Sequence, residues 1–299
     1  MNGENTKGWY QGEGMTYIYL SPQDYVSLYW PYVNYYRLPG TTVTNAPREE
    51  NYMFGLNSYS KYDFVGGVYS DINMVAAMQF EINNPLVYFK SSLIGNKAYF
   101  IFENIFIFIG NNISCDDDYD VETIIENRKL NGKFYFGNKE IIEKSGKVTD
   151  NYIYIENYGG IYIPDYLNVK YIVTDNEFLE LYFEHGKKIK NSSYKYFILP
   201  KVEKNDLEKY VDKIQIISEN NEITAVKNKE NNIIEYIFWE KGKIDNIEVD
   251  NPCTIILNES ELYISDPTQK VEQINVKLGN KNYNIKLNYG YTYKIKLGN

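Results

Sequence analysis

Histidine and cysteine are scarce in this 299-residue chain: His185 is the single imidazole, and Cys115 and Cys253 are the two thiols. Without a His/Cys cluster a zinc site is not expected. A Ser-His-Asp triad would have to use His185, and Glu184-His185-Gly186 has no nucleophile elbow near it. The two cysteines are far apart and lack metal-ligand spacing. One disulfide or two separate buried thiols both fit, and the second is the expectation. No apolar run approaches the ~20 residues of a membrane span. The most apolar stretch, Ala98–Gly110, is interrupted by Glu103 and Asn104. The opening MNGENTKGW has neither a basic start nor an apolar run, so no signal peptide is expected in it. Basic charge is also short, with 31 Lys and Arg against 40 Asp and Glu and a net charge of −9. That balance argues against nucleic acid as the main partner. It leaves room for an acidic ligand, because a local basic cleft can sit on an acidic protein.

What the chain has in abundance is tyrosine and phenylalanine, 32 and 14 residues. With β-branched isoleucine these residues fit a pleated, half-buried surface. Runs at β spacing recur at Met15–Leu20, Val75–Phe80, Tyr99–Phe102, Ile105–Ile109, Lys133–Phe136, Tyr152–Ile155, Gly160–Ile163, Val169–Val173 and Phe178–Phe183. Gly, Asn and Asp turns separate them. Ile274, Val276 and Leu278 alternate with polar residues, a turn follows at Gly279–Asn282, and Tyr283, Ile285 and Leu287 alternate again. This is the pattern of a hairpin with one buried face. A last strand is expected at Tyr291–Leu297. Two short helices are predicted, one running from a Ser21-Pro22 cap to Trp30 and one over Asp206–Val211. Strands without intervening helices imply antiparallel sheets and an all-β sandwich architecture. The charged stretch Lys201–Lys213 marks the expected boundary between domains at 1–205 and 206–299.

Residues 2–43 mix aromatics, glycines and amides: Trp9, Tyr10, Gly12, Gly14, Trp30, Tyr32, Asn34, Tyr35 and Arg37 among them. Such a mixture suits a sugar-binding surface, where rings stack on pyranose faces and amides or guanidinium groups bond hydroxyls and carboxylates. It equally suits core anchors and turns. The order of the residues is more telling. Asn2-Gly3-Glu4-Asn5, Lys7-Gly8-Trp9-Tyr10 and Gly12-Glu13-Gly14-Met15-Thr16-Tyr17 are followed by Tyr25-Val26-Ser27-Leu28-Tyr29-Trp30-Pro31 and Leu38-Pro39-Gly40-Thr41-Thr42. Asp63-Phe64-Val65-Gly66-Gly67-Val68, Phe108-Ile109-Gly110-Asn111-Asn112-Ile113, Glu122–Arg128 and Tyr194–Pro200 come next. This ordered series resembles the central β-domain of polysaccharide lyase family 8, the hyaluronate, chondroitin AC and xanthan lyases. The likeness is most specific in residues 2–43 and 63–128 and weaker after 205.

The resemblance implies a large antiparallel β-sandwich (a super-sandwich) over 1–205 and a smaller C-terminal β-sandwich over 206–299. The family's N-terminal α/α-toroid is expected to lie upstream or elsewhere in cis. The implied reaction is β-elimination beside a uronic acid in an acidic polysaccharide. The family's catalytic Asn, His, Tyr and Arg belong to the helical domain, so no catalytic residue is expected here and the chain alone is expected to be inactive. Asn2, Asn5, Lys7, Trp9 and Arg37 are the implied substrate-binding residues, and Glu4 an implied support for the catalytic His and Arg. Trp30 and Arg48 would line the same groove. Arg37 also has the alternative of pairing with a carboxylate. His185 does not match the catalytic histidine and is read as structural or exposed. No cofactor or metal is implied. The run Cys115–Asp120 lacks EF-hand spacing and reads as a solvated loop. Asn191-Ser192-Ser193 fits a glycosylation pattern that arises readily by chance. An extracellular or cell-surface location goes with the family. The alternative is a non-catalytic carbohydrate-binding or surface adhesion module on the same fold.

Overall fold

The computed structural model describes residues 7, 9–10, 12–26, 29–48, 50, 60–83 and 90–298. Its regular structure is almost wholly strand. The first are β1 (Thr42–Thr44), β2 (Val65–Ser70), β3 (Asn73–Asn83), β4 (Lys90–Phe102), β5 (Ile105–Ser114) and β6 (Val121–Lys129). Then come β7 (Phe134–Phe136), β8 (Lys139–Glu140), β9 (Ser145–Lys147), β10 (Tyr152–Ile155), β11 (Gly159–Tyr162) and β12 (Val169–Val173). Next are β13 (Phe178–Gly186), β14 (Ser192–Pro200), helix α1 (Leu207–Val211), β15 (Ile214–Glu219), β16 (Ile223–Asn228) and β17 (Ile233–Phe238). The last are β18 (Gly242–Ile244), β19 (Ile247–Val249), β20 (Cys253–Leu257), β21 (Glu261–Ser265), β22 (Gln273–Leu278), β23 (Lys281–Lys286) and β24 (Tyr293–Lys296).

The chain divides into two compact units. One holds Met1–Lys61, Phe80–Gly95 and Ile113–Leu207; the other holds Tyr62–Gln79, Asn96–Asn112 and Glu208–Asn299. The first unit contains a five-stranded sheet of order β1-β6-β13-β12-β9. A nine-stranded sheet of order β2-β3-β4-β5-β14-β11-β10-β7-β8 includes long strands whose residues fall in both units. Within the first unit, Phe134 and Phe136 on β7 meet Tyr171 on β12 edge-on at 5.7 and 5.2 Å, so side chains of two sheets interlock. Strands β6 and β13 lie at the centre of their sheet. Every residue of β6 up to Arg128 is buried, including Glu122, Glu126 and Asn127. Both its faces are covered, so the strand shows no in–out alternation.

In the second unit a six-stranded sheet, β15-β16-β17-β20-β21-β24, encloses a core with a four-stranded sheet, β18-β19-β22-β23. Tyr236, Phe238, Ile255, Ile264, Ile274 and Val276 are among the residues filling it. Burying each side chain of this size contributes roughly 1.5–3 kcal/mol. The β22–β23 hairpin has the expected register, with Ile274 opposite Ile285 and Val276 opposite Tyr283. Gly279 takes the left-handed conformation of its tight turn, at φ +59°.

Two local expectations fail for identifiable reasons. Residues 15–19 form no ladder. Gly14, at φ +75°, turns the chain, and the Thr16 amide instead donates to the Pro39 carbonyl at 2.9 Å. The helix expected from Ser21 to Trp30 is replaced by turns among its described residues. The Asp24 carboxylate accepts from the Leu20 and Ser21 amides at 2.8 and 3.2 Å, which closes a turn, and Tyr25 at φ 57° then takes a conformation that a right-handed helix cannot contain. The second helical expectation is met by a 3-10 turn at Lys204–Asp206 running into α1.

Candidate functional site

Strand β6 fastens the aromatic segment that precedes β1. Arg37 donates from Nε and Nη2 to the two Glu122 oxygens at 2.7 and 2.8 Å, and from Nη1 to Glu180 on β13 at 2.7 Å. Its plane lies 3.8 Å from the Tyr182 ring centroid. The fork geometry of guanidinium makes this a bidentate, charge-assisted clamp. One strand position on, the Thr123 and Thr42 hydroxyls bond at 2.9 Å. The Gly40 amide donates to the Ile124 carbonyl at 2.8 Å, and the Ile124 amide to Thr41 at 2.9 Å. Tyr25 donates its hydroxyl to Glu126 at 3.3 Å. Asn127 donates to the Arg37 carbonyl at 2.7 Å. Arg128 lies over Tyr158 at 3.9 Å and reaches Glu126 and Asp24 at 3.4 and 3.7 Å.

The result is a ledge of rings held by charged side chains. Tyr17, Tyr25, Tyr29 and Trp30 meet mostly edge to face, at centroid distances from 4.6 to 6.3 Å. Trp30, Asn34, Tyr35, Tyr36 and Arg37 keep part of their surface open to solvent. Asn34, Tyr36, Arg37, Asn45, Pro47 and Glu122 line an open depression of about 330 Å³. Partly exposed rings beside amides match the polar-edged, apolar-faced surface of a sugar.

Of the residues the sequence pointed to, Asn2, Glu4 and Asn5 lie outside the described residues. Lys7 is 44% exposed, 3.3 Å from Glu50, with its ammonium 5.7 Å from the Tyr35 ring centroid. Trp9 is 6% exposed and packs against Tyr36 and Tyr10 at 5.0 and 6.3 Å, so it shapes the ledge from within. Arg37 lies in the depression with a side chain 16% exposed and engaged by two carboxylates. Arg48 sits nearby, its guanidinium 5.1 Å from the Tyr10 ring, with its amide accepted by the Tyr36 hydroxyl at 2.9 Å. Glu122, Glu126 and Asn127, which stood in the Glu122–Arg128 motif without a site role, and Glu180, which stood in no motif, are the organising residues. The available signal was two carboxylates and an Arg within an otherwise strand-forming run, since buried charges need partners.

Burial moves Tyr17, Tyr25 and His185 away from neutrality. Burial pushes the Tyr17 phenol up to about 12. Burial, reinforced by the Glu126 charge, holds Tyr25 well above its ordinary value of 10.0. His185 is held between the Thr123 and Ser192 hydroxyls, each at 2.9 Å, and burial lowers it to about 4. General acid–base catalysis works best with a group whose pKa lies near the working pH. The acidic run is also engaged. Asp117 accepts from the Ser91 and Ser92 hydroxyls at 2.5 and 2.7 Å, and Asp116 and Asp118 pair with Lys190 and Lys188 at 2.6 and 2.8 Å. Both cysteines are free and buried.

Comparison with known proteins places this architecture. Residues 1–175 match the polysaccharide lyase family 8 super-sandwich domain, and residues 215–275 match that family's C-terminal β-sandwich domain. A hyaluronate lyase of Enterococcus faecalis is 28% identical over 318 residues, covering 93% of this chain and 32% of its own length. A hyaluronate lyase of Thermasporomyces composti is 24% identical, covering 92% of this chain and 39% of its own. The solved structure of a Paenibacillus xanthan lyase superposes with a TM-score of 0.85 at 26% identity, over 99% of this chain and 34% of that one. Fold and sequence together define a super-sandwich domain followed by a C-terminal β-sandwich domain. The chain belongs to polysaccharide lyase family 8. It spans between 32% and 39% of the length of these relatives.

Proposed function

We propose that this chain forms one wall of the glycan cleft of a lyase that cleaves uronic-acid-containing polysaccharides by β-elimination. The observation that carries this reading is the ledge of half-exposed rings and amides fastened to β6 by Glu122, by Glu126 and by Arg128 through Asp24. β-Elimination removes a weakly acidic proton α to a carboxylate, so fixed donors must stabilise the charge that develops there. In this reading the chain supplies grip and orientation. Lys7 attracts the polyanion, while Asn34, Tyr35, Tyr36 and Trp30 seat its rings. The proton-transferring groups come from a helical domain in cis or upstream. The raised phenols and the neutral His185 support that division of labour. The family resemblance assigns Asn2 and Asn5 to substrate binding and Glu4 to supporting the catalytic His and Arg. The domain boundary falls between residues 205 and 206. A polymeric substrate goes with an extracellular or cell-surface setting.

The test is the ultraviolet absorbance of unsaturated uronate products on hyaluronan and chondroitin. The chain alone is expected to give none, and the chain joined to a family helical domain is expected to give turnover. Robust turnover by the chain alone would overturn this reading. The raised phenols of Tyr17 and Tyr25 also suit the second reading, a non-catalytic glycan-binding or adhesion module. Saturable glycan binding that no helical partner converts to turnover would favour that module.

A further inference from the structure

The outer face of the four-stranded sheet in the second unit carries two ordered rows of polar side chains. Register places Lys243 opposite Glu248, Glu248 opposite Lys277, and Lys277 opposite Asn282. The neighbouring row joins Asp250, Asn275 and Asn284. The Asp250 carboxylate accepts from the Asn275 backbone and side-chain amides at 2.8 and 2.6 Å, and Asn284 donates to the Asn275 oxygen at 2.8 Å. Gln273 and Lys286 face each other one step further along. The opposite faces of these strands, with Val249, Ile274, Val276 and Ile285, are committed to the core. Lys241, Lys243, Glu248, Asp250, Asn275 and Lys277 help line an open depression of about 860 Å³ on this face.

Three properties select an occupant. Among the described residues, Lys241, Lys243, Lys277 and Lys286 have no ion-pair partner, in contrast to Lys187, Lys188 and Lys190 beside the acidic loop. Lys241, Lys243 and Lys277 against Glu248 and Asp250 give the depression a basic balance on a chain of net charge −9, and Lys286 extends it along β23. The amide ladder is preorganised by its own hydrogen bonds and offers neutral donors and acceptors at intervals of about 7 Å along each strand. Dense polyanions such as nucleic acids would meet the Glu248 and Asp250 carboxylates, and the face has none of the aromatic anchors that protein interfaces favour. Hydroxyls alternating with widely spaced carboxylates fit both the amides and the free lysines.

We propose that this sheet face is a second binding surface for an acidic polysaccharide, separate from the ledge beside β6. It shares with the preceding reading the premise of an acidic glycan and adds a contact in the small C-terminal sandwich. Its role would be to hold the polymer while the cleft works, since two linked weak sites raise overall avidity.

The experiment is calorimetric titration of the full chain with a long hyaluronan fragment at low ionic strength, with dextran as the neutral control. Two variants are compared: Lys243→Glu with Lys277→Glu on the sheet, and Lys7→Glu with Asn34→Ala on the ledge. All four positions carry exposed or half-exposed side chains, and unchanged circular dichroism confirms folding. The sheet variant is expected to lose about tenfold in affinity, while dextran binds neither form. A milder Asn275→Ala and Asn284→Ala variant should show a smaller loss in the same direction. Unchanged affinity in the sheet variant, with loss only in the ledge variant, overturns the second surface and leaves the cleft reading standing. Loss only in the sheet variant supports it and counts against the ledge. Absence of hyaluronan binding by the unaltered chain overturns both.

Discussion

A single imidazole makes one residue unusually easy to follow. His185 has no other histidine to obscure its resonances, so its titration can be read directly by nuclear magnetic resonance. Burial lowers it from 6.5 to about 4, and the expected midpoint lies near the lower value. The unfolded chain takes up a proton as the pH falls below 6.5 whereas the folded chain does not. The contribution of His185 to stability is therefore present above 6.5 and lost as the pH falls through about 4. A midpoint near 6.5 would show an imidazole in open water. Glu235 behaves in the opposite sense. It is fully buried on β17, and burial pushes its carboxyl well above the ordinary 4.5. Its contribution is fully present below 4.5 and is lost as the pH rises toward the folded value. Glu235→Gln removes the proton equilibrium while keeping the shape. It should raise the melting temperature by about 2–4 °C at alkaline pH, with little change near pH 4.5. Equal effects at both pH values would show that the carboxyl is not held neutral.

At the scale of the element, β6 is where stability and the candidate site meet. Replacing Arg37 with Met leaves Glu122 and Glu180, with side chains 8% and 4% exposed, without their counter-charge. Breaking a buried pair in this way costs about 3–5 kcal/mol. Chemical denaturation should show that loss, and a change below about 1 kcal/mol would place the pair in the class of solvated surface bridges. Gly40 is the other fixed point. At φ +81° it takes the left-handed conformation, and an added Cβ would clash with the Thr16 hydroxyl and come within 2.8 Å of the Gly14 carbonyl oxygen. Gly40→Ala should therefore shift the Thr16–Pro39 contact and alter the near-ultraviolet dichroism of the ring cluster. An unaltered spectrum would show that the segment absorbs the extra carbon.

At the scale of the whole molecule, the sheets were legible in the sequence and the ledge was only partly so. Alternation in Ile274–Leu278 and Tyr283–Leu287 gave both the hairpin and its buried face, because one side of that sheet meets water. Residues 15–30 carry strand and helix signals of ordinary strength, yet the described ones among them adopt neither. Their backbone follows Asp24, Gly14 and contacts to β6 that lie about a hundred positions away in sequence, as for Tyr25 and Glu126. Local propensity has no access to partners at that separation. Arg37 illustrates the same limit: sequence gave it two roles, and its partners became visible only when Glu122 and Glu180 were brought beside it.

A region fastened by backbone ladders tolerates most exchanges of its side chains and resists reshaping. The ring cluster ahead of β1 is secured largely the other way round, through the carboxylates, amide and guanidinium group that β6 reaches out to Arg37, Tyr25 and Asp24. Exchanging one of those fasteners would re-aim several rings together while the sheets stay as they are. A scaffold of this kind can acquire a taste for a different sugar polymer in very few steps.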